Sequence, residues 1–327
     1  MRISAIAVRQ IAVTLQLAAT AATAAALWHW LEWSLPVASG VAVAIYAVLF
    51  AGSVGLAFLC TWHGVGVPPA ARPPRPGTVP PPGRLSVLRA CRCWLHECAA
   101  VWRMFNVIQP FRSRQPWTPA APCHVTLPPL LLIHGYGCNH AVWQDLQPKL
   151  ARAGYHCEGL DLHPLLGDID DYGRQVAAHS ARMHARYGTA PILVCHSMGG
   201  LAARAALRIM RQRREDVPIP HVITLGTPHQ GTALARFGQG CNARQMRCGS
   251  TWLTELARAE PPHERARLIS IFSWHDSIVG PPGTSWLDGA HHLPLDGLGH
   301  VSLLTDRTAH DLVLAALGRL VPQASVM

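Results

Sequence analysis

The rhythm of apolar positions along this chain changes three times. From Gln10 to Leu31 no residue carries a formal charge and most are Ala, Leu, Ile, Val or Trp, until Glu32 ends the run. From Val37 to Cys60 there are 24 uncharged residues, rich in Val, Ala, Leu and Phe. A bilayer core about 30 Å thick needs roughly 20 apolar residues in a helix. Both runs therefore predict transmembrane helices, at residues 10–31 and 37–60, the second with Trp62 as an interfacial anchor. Two other readings stay open. The first run could be a secretory signal, with Arg2 and Arg9 ahead of it and cleavage near Ala22–Ala26, or the two runs could form a buried hairpin.

A polar, proline-rich stretch follows. Pro68–Pro82 holds eight prolines in fifteen residues, which favours polyproline II and a semi-rigid spacer. From Arg84 to Pro110 the apolar positions take a helical period. Leu88, Cys91, Leu95, Cys98, Trp102 and Phe105 share one face, flanked by Arg84, Arg89, Arg92 and Arg103. Such a helix either lies on anionic lipid or packs on the next domain. A second proline-rich stretch, Pro116–Pro129, leads onward.

Beyond Leu127 the pattern becomes short apolar runs alternating with helical periods. Leu130–Ile133, Pro191–Cys195, Val222–Leu225 and Leu268–Ser273 read as buried strands of a parallel sheet. Val142–Ala153, Tyr172–Tyr187, Leu201–Arg211 and Thr305–Leu320 read as helices. Alternation of this kind predicts an α/β domain with a mainly parallel sheet flanked by helices. The resulting organisation is a membrane anchor at 1–67, a linker at 68–83, an amphipathic helix and connector at 84–126, and an α/β domain at 127–327.

Composition sharpens this picture. Half of the 327 residues are hydrophobic and 14% are charged, against about a quarter charged in ordinary soluble domains. The net charge is +10, and most of it is N-terminal: residues 1–120 carry ten arginines against Glu32 and Glu97. The arginines lie beside the apolar runs, so a lipid bilayer and not nucleic acid is the expected partner. Arg2 and Arg9 precede the first run, and Arg72, Arg75, Arg84, Arg89 and Arg92 follow the second, while the turn at Glu32–Pro36 has no basic residue. By the positive-inside rule the α/β domain is expected in the cytoplasm, at the inner membrane of a bacterium.

Candidate chemistry centres on Cys195-His196-Ser197-Met198-Gly199. It follows a strand and opens a helix, as a nucleophile elbow G-x-S-x-G does, with Cys in place of the first Gly. Together with His134-Gly135-Tyr136-Gly137, Leu225–Thr232, and Asp276 with Gly299-His300, it resembles the α/β-hydrolase superfamily, in particular bacterial triacylglycerol lipases and esterases. The resemblance runs from about Leu127 to Leu320 and leaves residues 1–110 unaddressed. It implies an α/β-hydrolase fold with Ser197 as nucleophile, Asp276 as acid and His300 as base, in that chain order, and an oxyanion hole from the N–H groups of Tyr136 and Met198. It implies a lid within residues 232–262, which could equally be plain connecting helices.

The chemistry needs these types. A serine hydroxyl is a weak nucleophile until a base takes its proton, and a carboxylate orients and stabilises the imidazolium that forms. No metal or organic cofactor is called for. Among the 19 histidines, His291 and His292 lack the Gly-His-apolar context, His196 and His229 are expected in structural roles, and Asp161 precedes Ser197 and breaks the order. Asp288 follows no strand, and Asp296 stands only four residues before His300. Cys91, Cys93, His96 and Cys98 would point in different directions on a helix, which disfavours a metal site, and Cys241 with Cys248 could pair only in an oxidising compartment. The expected activity is hydrolysis of lipid or other carboxylic esters. The same residues would serve an acyltransferase, thioesterase or amidase, and a catalytically silent membrane scaffold is the remaining alternative.

Overall fold

A computed structural model of the chain describes residues 4–71, 83–113, 127–213 and 221–321. Most of both proline-rich stretches, at 72–82 and 114–126, lies outside the described residues.

Two long helices come first, α1 (Ala5–Trp30) and α2 (Leu35–His63), packed side by side as a hairpin. Ser4 caps α1 through the Ala7 N–H, and α2 starts with Pro36 in its first turn and ends at Gly64 in the left-handed region. At 26 and 29 residues they are long and apolar enough to cross a membrane. Each exceeds the predicted run by a few residues at both ends or one, because helix ends tolerate polar residues that a lipid-facing run does not. The hydroxyls of Thr14, Thr20 and Thr23 bond back to carbonyls one turn earlier, so these polar groups need no water. Leu15, Leu17, Val48 and Leu49 are exposed, and Trp28, Trp30 and Trp33 cluster at the turn.

Helix α3 (Val87–Arg103) continues into a π-helical turn (Met104–Ile108) and a short α4 (Gln109–Phe111). Its two faces differ in burial. The predicted apolar stripe points outward at Leu88, Cys91, Leu95 and Trp102, while Cys93, Glu97, Ala100, Met104 and Ile108 are buried against the rest of the protein.

The remaining elements are β1 (Leu130–Ile133), α5 (Gln147–Arg152), β2 (Cys157–Leu160), α6 (Ile169–Tyr187), β3 (Ile192–His196), α7 (Met198–Arg213), β4 (Val222–Leu225), α8 (Gly240–Gln245), α9 (Thr251–Ala259), α10 (Pro262–Arg265), β5 (Leu268–Ser273), β6 (His291–Leu295) and α11 (Arg307–Leu320). The strands form one parallel sheet in the order β2-β1-β3-β4-β5-β6. Every residue of β1, β3, β4 and β5 is buried, as expected when helices cover both faces. Leu131 and Ile133 point toward α6 and α7, whereas Leu130 and Leu132 point toward α5, α11 and the π turn after α3. α6 and α7 meet at Gly173, where a Cβ would lie 2.8 Å from that of Ala205. This is the α/β-hydrolase arrangement, preceded by a helical hairpin.

The chain leaves β1 toward β2 on one side and returns to β3 on the other. Ligands in open α/β sheets bind at such a reversal, above the strand C-termini. The segment from 232 to 262 is helical, including α8, α9 and the start of α10. Cys241 and Cys248 within it are free thiols.

The hairpin is not held at arm's length. Its base packs onto the α/β domain through Arg9 to the Gly137 carbonyl (2.9 Å) and Thr61 to the Asp276 carbonyl (3.2 Å), and onto α4 through Gln10 to the Pro110 carbonyl (2.9 Å). Trp62 stacks on His275, and Trp94 of α3 donates to the Ala51 carbonyl of α2 (2.9 Å).

Candidate active site

The turn between β3 and α7 is tight enough to force Ser197 to φ 55°. A non-glycine residue there costs about 1–3 kcal/mol and persists only where the surroundings fix it. Here the Ser197 N–H donates to the Leu225 carbonyl (2.9 Å), and its carbonyl accepts from the Thr227 hydroxyl (2.8 Å). The close approaches fall on glycines. A Cβ at 199 would sit 2.5 Å from the Ile133 carbonyl oxygen, and one at 135 would sit 2.8 Å from the Ser197 Cβ. Cys195, where the elbow pattern has glycine, is fully buried within the core between the sheet and α7, so the small thiol is accommodated.

Asp276 lies just past β5. Its Oδ1 accepts the N–H groups of Ile278 and Val279 (both 2.7 Å), and its Oδ2 meets Nδ1 of His300 at 2.8 Å. Gly226, at φ 57°, clears space for both: a Cβ there would lie 3.1 Å from the carboxylate and 3.2 Å from the imidazole. The His300 ring lies beside that of His196, with centroids 4.6 Å apart. Their electrostatics differ. Burial pushes His300 down, but the charge and hydrogen bond of Asp276, and then the charge of Glu97, outweigh it and hold His300 above the ordinary histidine value. Burial and the neighbouring His300 push His196 well below it. Of the two rings, His300 is the one suited to take a proton. Ser197 makes no side-chain hydrogen bond to His300 among the described residues, although both line the same cavity. Such contacts are often long without substrate.

The Tyr136 and Met198 backbone N–H groups donate to no partner among the described residues. The loop carrying Tyr136 is pinned from behind by His134, whose Nδ1 meets the Gly135 carbonyl (2.9 Å) and whose Nε2 accepts the Leu162 N–H (3.0 Å). The Tyr136 hydroxyl donates to the Gln239 carbonyl (2.9 Å), which props the helical segment over the site. Asp161 binds His140, His229 is buried against Arg204, and His292 stacks on Trp286 at 3.6 Å. These side chains hold structure, away from Ser197. Asp296 sits near His275 at the surface, and Asp288 accepts from the Trp286 indole.

One residue escaped the sequence reading. Glu97 of α3 is fully buried, and its carboxylate accepts the Ser277 hydroxyl (2.6 Å), the Val301 N–H (2.9 Å) and the Ser302 N–H (2.8 Å). It thereby ties the loop after Asp276 to the loop carrying His300. Gly299 is glycine because a Cβ would collide with this carboxylate. The available signal was that Glu97 is one of only two acidic residues in the first 120.

Ser197 and His300 open onto an apolar cavity of about 350 Å³. Its outer wall is built by the N-terminal helices, from Arg9 of α1, Phe50, Val54 and Ala57 of α2, and Val101 of α3, with Phe105 of the π turn. A second recess of about 180 Å³ lies on the other side of Ser197, under Leu234, Ala243 and Met246 of the helical segment. Ser197 thus borders two largely apolar recesses.

The sequence profile of the alpha/beta hydrolase family matches residues 130–325. No curated protein matches the sequence significantly. Among solved structures, the mature lipase BlEst2 of Bacillus licheniformis is similar, with a TM-score of 0.52 and 21% identity, over 61% of this chain and 95% of that one. Lipase B of Aspergillus fumigatus is similar with a TM-score of 0.52 and 17% identity, over 80% of this chain and 65% of that one. At these identities the likeness concerns the fold. The profile spans more than half of the chain, and with the parallel sheet and the serine turn it establishes that this protein belongs to the alpha/beta hydrolase family.

Proposed function

We propose that this protein is a membrane-bound serine hydrolase that cleaves carboxylic esters of lipids. The observation that carries the reading is the strained Ser197, facing the same apolar cavity as His300, which is itself paired with the buried Asp276. In the proposed reaction His300 takes the Ser197 proton as Oγ attacks the ester carbonyl. The Tyr136 and Met198 N–H groups receive the oxyanion. As the intermediate collapses, His300 passes that proton to the leaving alcohol and an acyl-enzyme remains. Water, deprotonated by His300, then releases the carboxylic acid and restores Ser197.

Lipid as substrate is supported by the apolar lining and by the lipases among the similar folds. Membrane attachment is supported by the exposed apolar sides of α1 and α2 and by the outward stripe of α3. The arginines flanking the hairpin favour a cytoplasmic catalytic domain. The test is labelling of membranes with a fluorophosphonate probe, alongside hydrolysis of p-nitrophenyl esters. Labelling and turnover in the wild type, both lost in Ser197→Ala, are expected. Turnover that persists in Ser197→Ala would remove this serine from the mechanism.

A further inference from the structure

Arg9 is out of place for an arginine at the end of an apolar helix. Such side chains ordinarily stretch toward water or headgroups. Arg9 turns inward instead and lines the cavity above Ser197. Its guanidinium lies over the Phe105 ring, 4.2 Å from the centroid, and Nη2 donates to the Gly137 carbonyl (2.9 Å). Its Nε is buried and has no hydrogen-bond partner. No carboxylate pairs with it among the described residues, whereas other buried or half-buried arginines, such as Arg204 with Glu260 and Arg211 with Glu264, have one. The rest of the outer wall is apolar apart from Ser53, whose hydroxyl already donates to the Phe50 carbonyl.

A cation held in an apolar, substrate-sized space without a counter-charge is a poor resting arrangement. It becomes favourable when the ligand brings the missing anion, since guanidinium pairs well with phosphate and carboxylate oxygens. The Gly137 carbonyl uses one donor and leaves others. We infer that the cavity selects acyl esters whose non-reacting part carries an anionic phosphoryl or carboxylate group, and that Arg9 receives that group. This rests on the serine hydrolase reading and adds a substrate class to it. It also gives α1 a binding role, since no Arg or Lys from 130–325 lines this cavity.

The experiment uses the full-length protein in neutral detergent micelles and three substrates sharing one acyl chain: monooleoylglycerol, its 3-phosphate and its 3-hemisuccinate. Oleate release is measured for wild type, Arg9→Gln and Arg9→Lys. A charge-assisted hydrogen bond predicts a kcat/KM at least about tenfold higher for an anionic substrate than for the neutral one. The ratio should fall toward one in Arg9→Gln and largely survive in Arg9→Lys. Preference for the phosphate alone identifies a phosphoryl site, and equal preference for both anions identifies a general anion site. No anionic preference in the wild type, or an equal loss on all three substrates in Arg9→Gln, overturns the inference and leaves Arg9 as a support for the Gly137 loop. Ether analogues competing with fluorophosphonate labelling read the same ratio without turnover, so a failed anion preference is distinguishable from a failed hydrolase. Absence of labelling would overturn the hydrolase reading and this one with it.

Discussion

The carboxylate of Glu97 accepts the Ser277 hydroxyl at 2.6 Å, and the Ser277 oxygen in turn accepts the backbone N–H of His300 at 3.3 Å. A helix outside the hydrolase-family segment is thus coupled through Glu97 and Ser277 to the backbone of the proposed base. Glu97→Ala should strand the Val301 and Ser302 N–H groups, at about 1–3 kcal/mol each if they stay dry. Loss of thermal stability together with a drop in kcat is the expected outcome. Glu97→Gln keeps much of the volume but removes the charge, which is one of the influences raising His300. The acid limb of its pH–rate profile should therefore move to lower pH, and an unmoved limb would mean that Glu97 acts by packing alone.

The wild-type profile has its own expectation. The proposed mechanism needs neutral His300, and its environment holds it above the ordinary value of 6.5. Activity on a short ester should rise with pH through an apparent pKa above 6.5. Asp276→Asn removes the principal raising charge, and kcat should fall by roughly a thousandfold or more. A steady-state pH series on both proteins checks the two statements together.

Glycines give a paired test of the elbow. Gly199→Ala places a methyl group 2.5 Å from the Ile133 backbone oxygen, which cannot move without shifting β1. A loss of about 1–3 kcal/mol and of most activity is expected. Gly318 in α11 has nothing within 4 Å of a would-be Cβ. Gly318→Ala should stabilise by about 0.5–1 kcal/mol through helix propensity, with activity retained. Chemical denaturation of both variants separates the steric from the propensity effect.

The hairpin wall predicts a change in selectivity. Ala57→Phe would fill part of the cavity of about 350 Å³. The ratio of long-chain to short-chain ester hydrolysis should fall, as read from a chain-length panel. A proportional loss on every chain length would place the acyl chain in the other recess.

What could be read from the sequence follows from where each signal resides. β1, β3, β4 and β5 are unbroken apolar runs because helices cover both their faces, and all four were legible. β6 reads His-His-Leu-Pro-Leu at the sheet edge and was missed, since an edge strand need not be apolar throughout. The single helix predicted over Val142–Ala153 is instead a 3₁₀ turn, His140–Trp143, and the short α5. Pro148 lacks an N–H for a continuous ladder and sits in the first turn of α5. The residue types and chain order selected Asp276 and His300, which the fold brings to 2.8 Å. Glu97 stood out as one of two acidic residues in the first 120, but its role was not legible because its partners lie 180 to 205 residues away. The stripe on α3 was visible, but periodicity does not say which way a stripe faces.

The placement of Arg9, Phe50, Val54 and Ala57 in the cavity wall bears on how freely the N-terminal region can be exchanged. An anchor that only fixes location is interchangeable with any other of similar length and hydropathy. This hairpin also supplies side chains at fixed heights around Ser197. A chimaera carrying an unrelated anchor could reach the same membrane and still present a catalytic domain with one side of its cavity missing. Under the proposed membrane attachment, location and substrate fit would reside in the same two helices and could not vary independently.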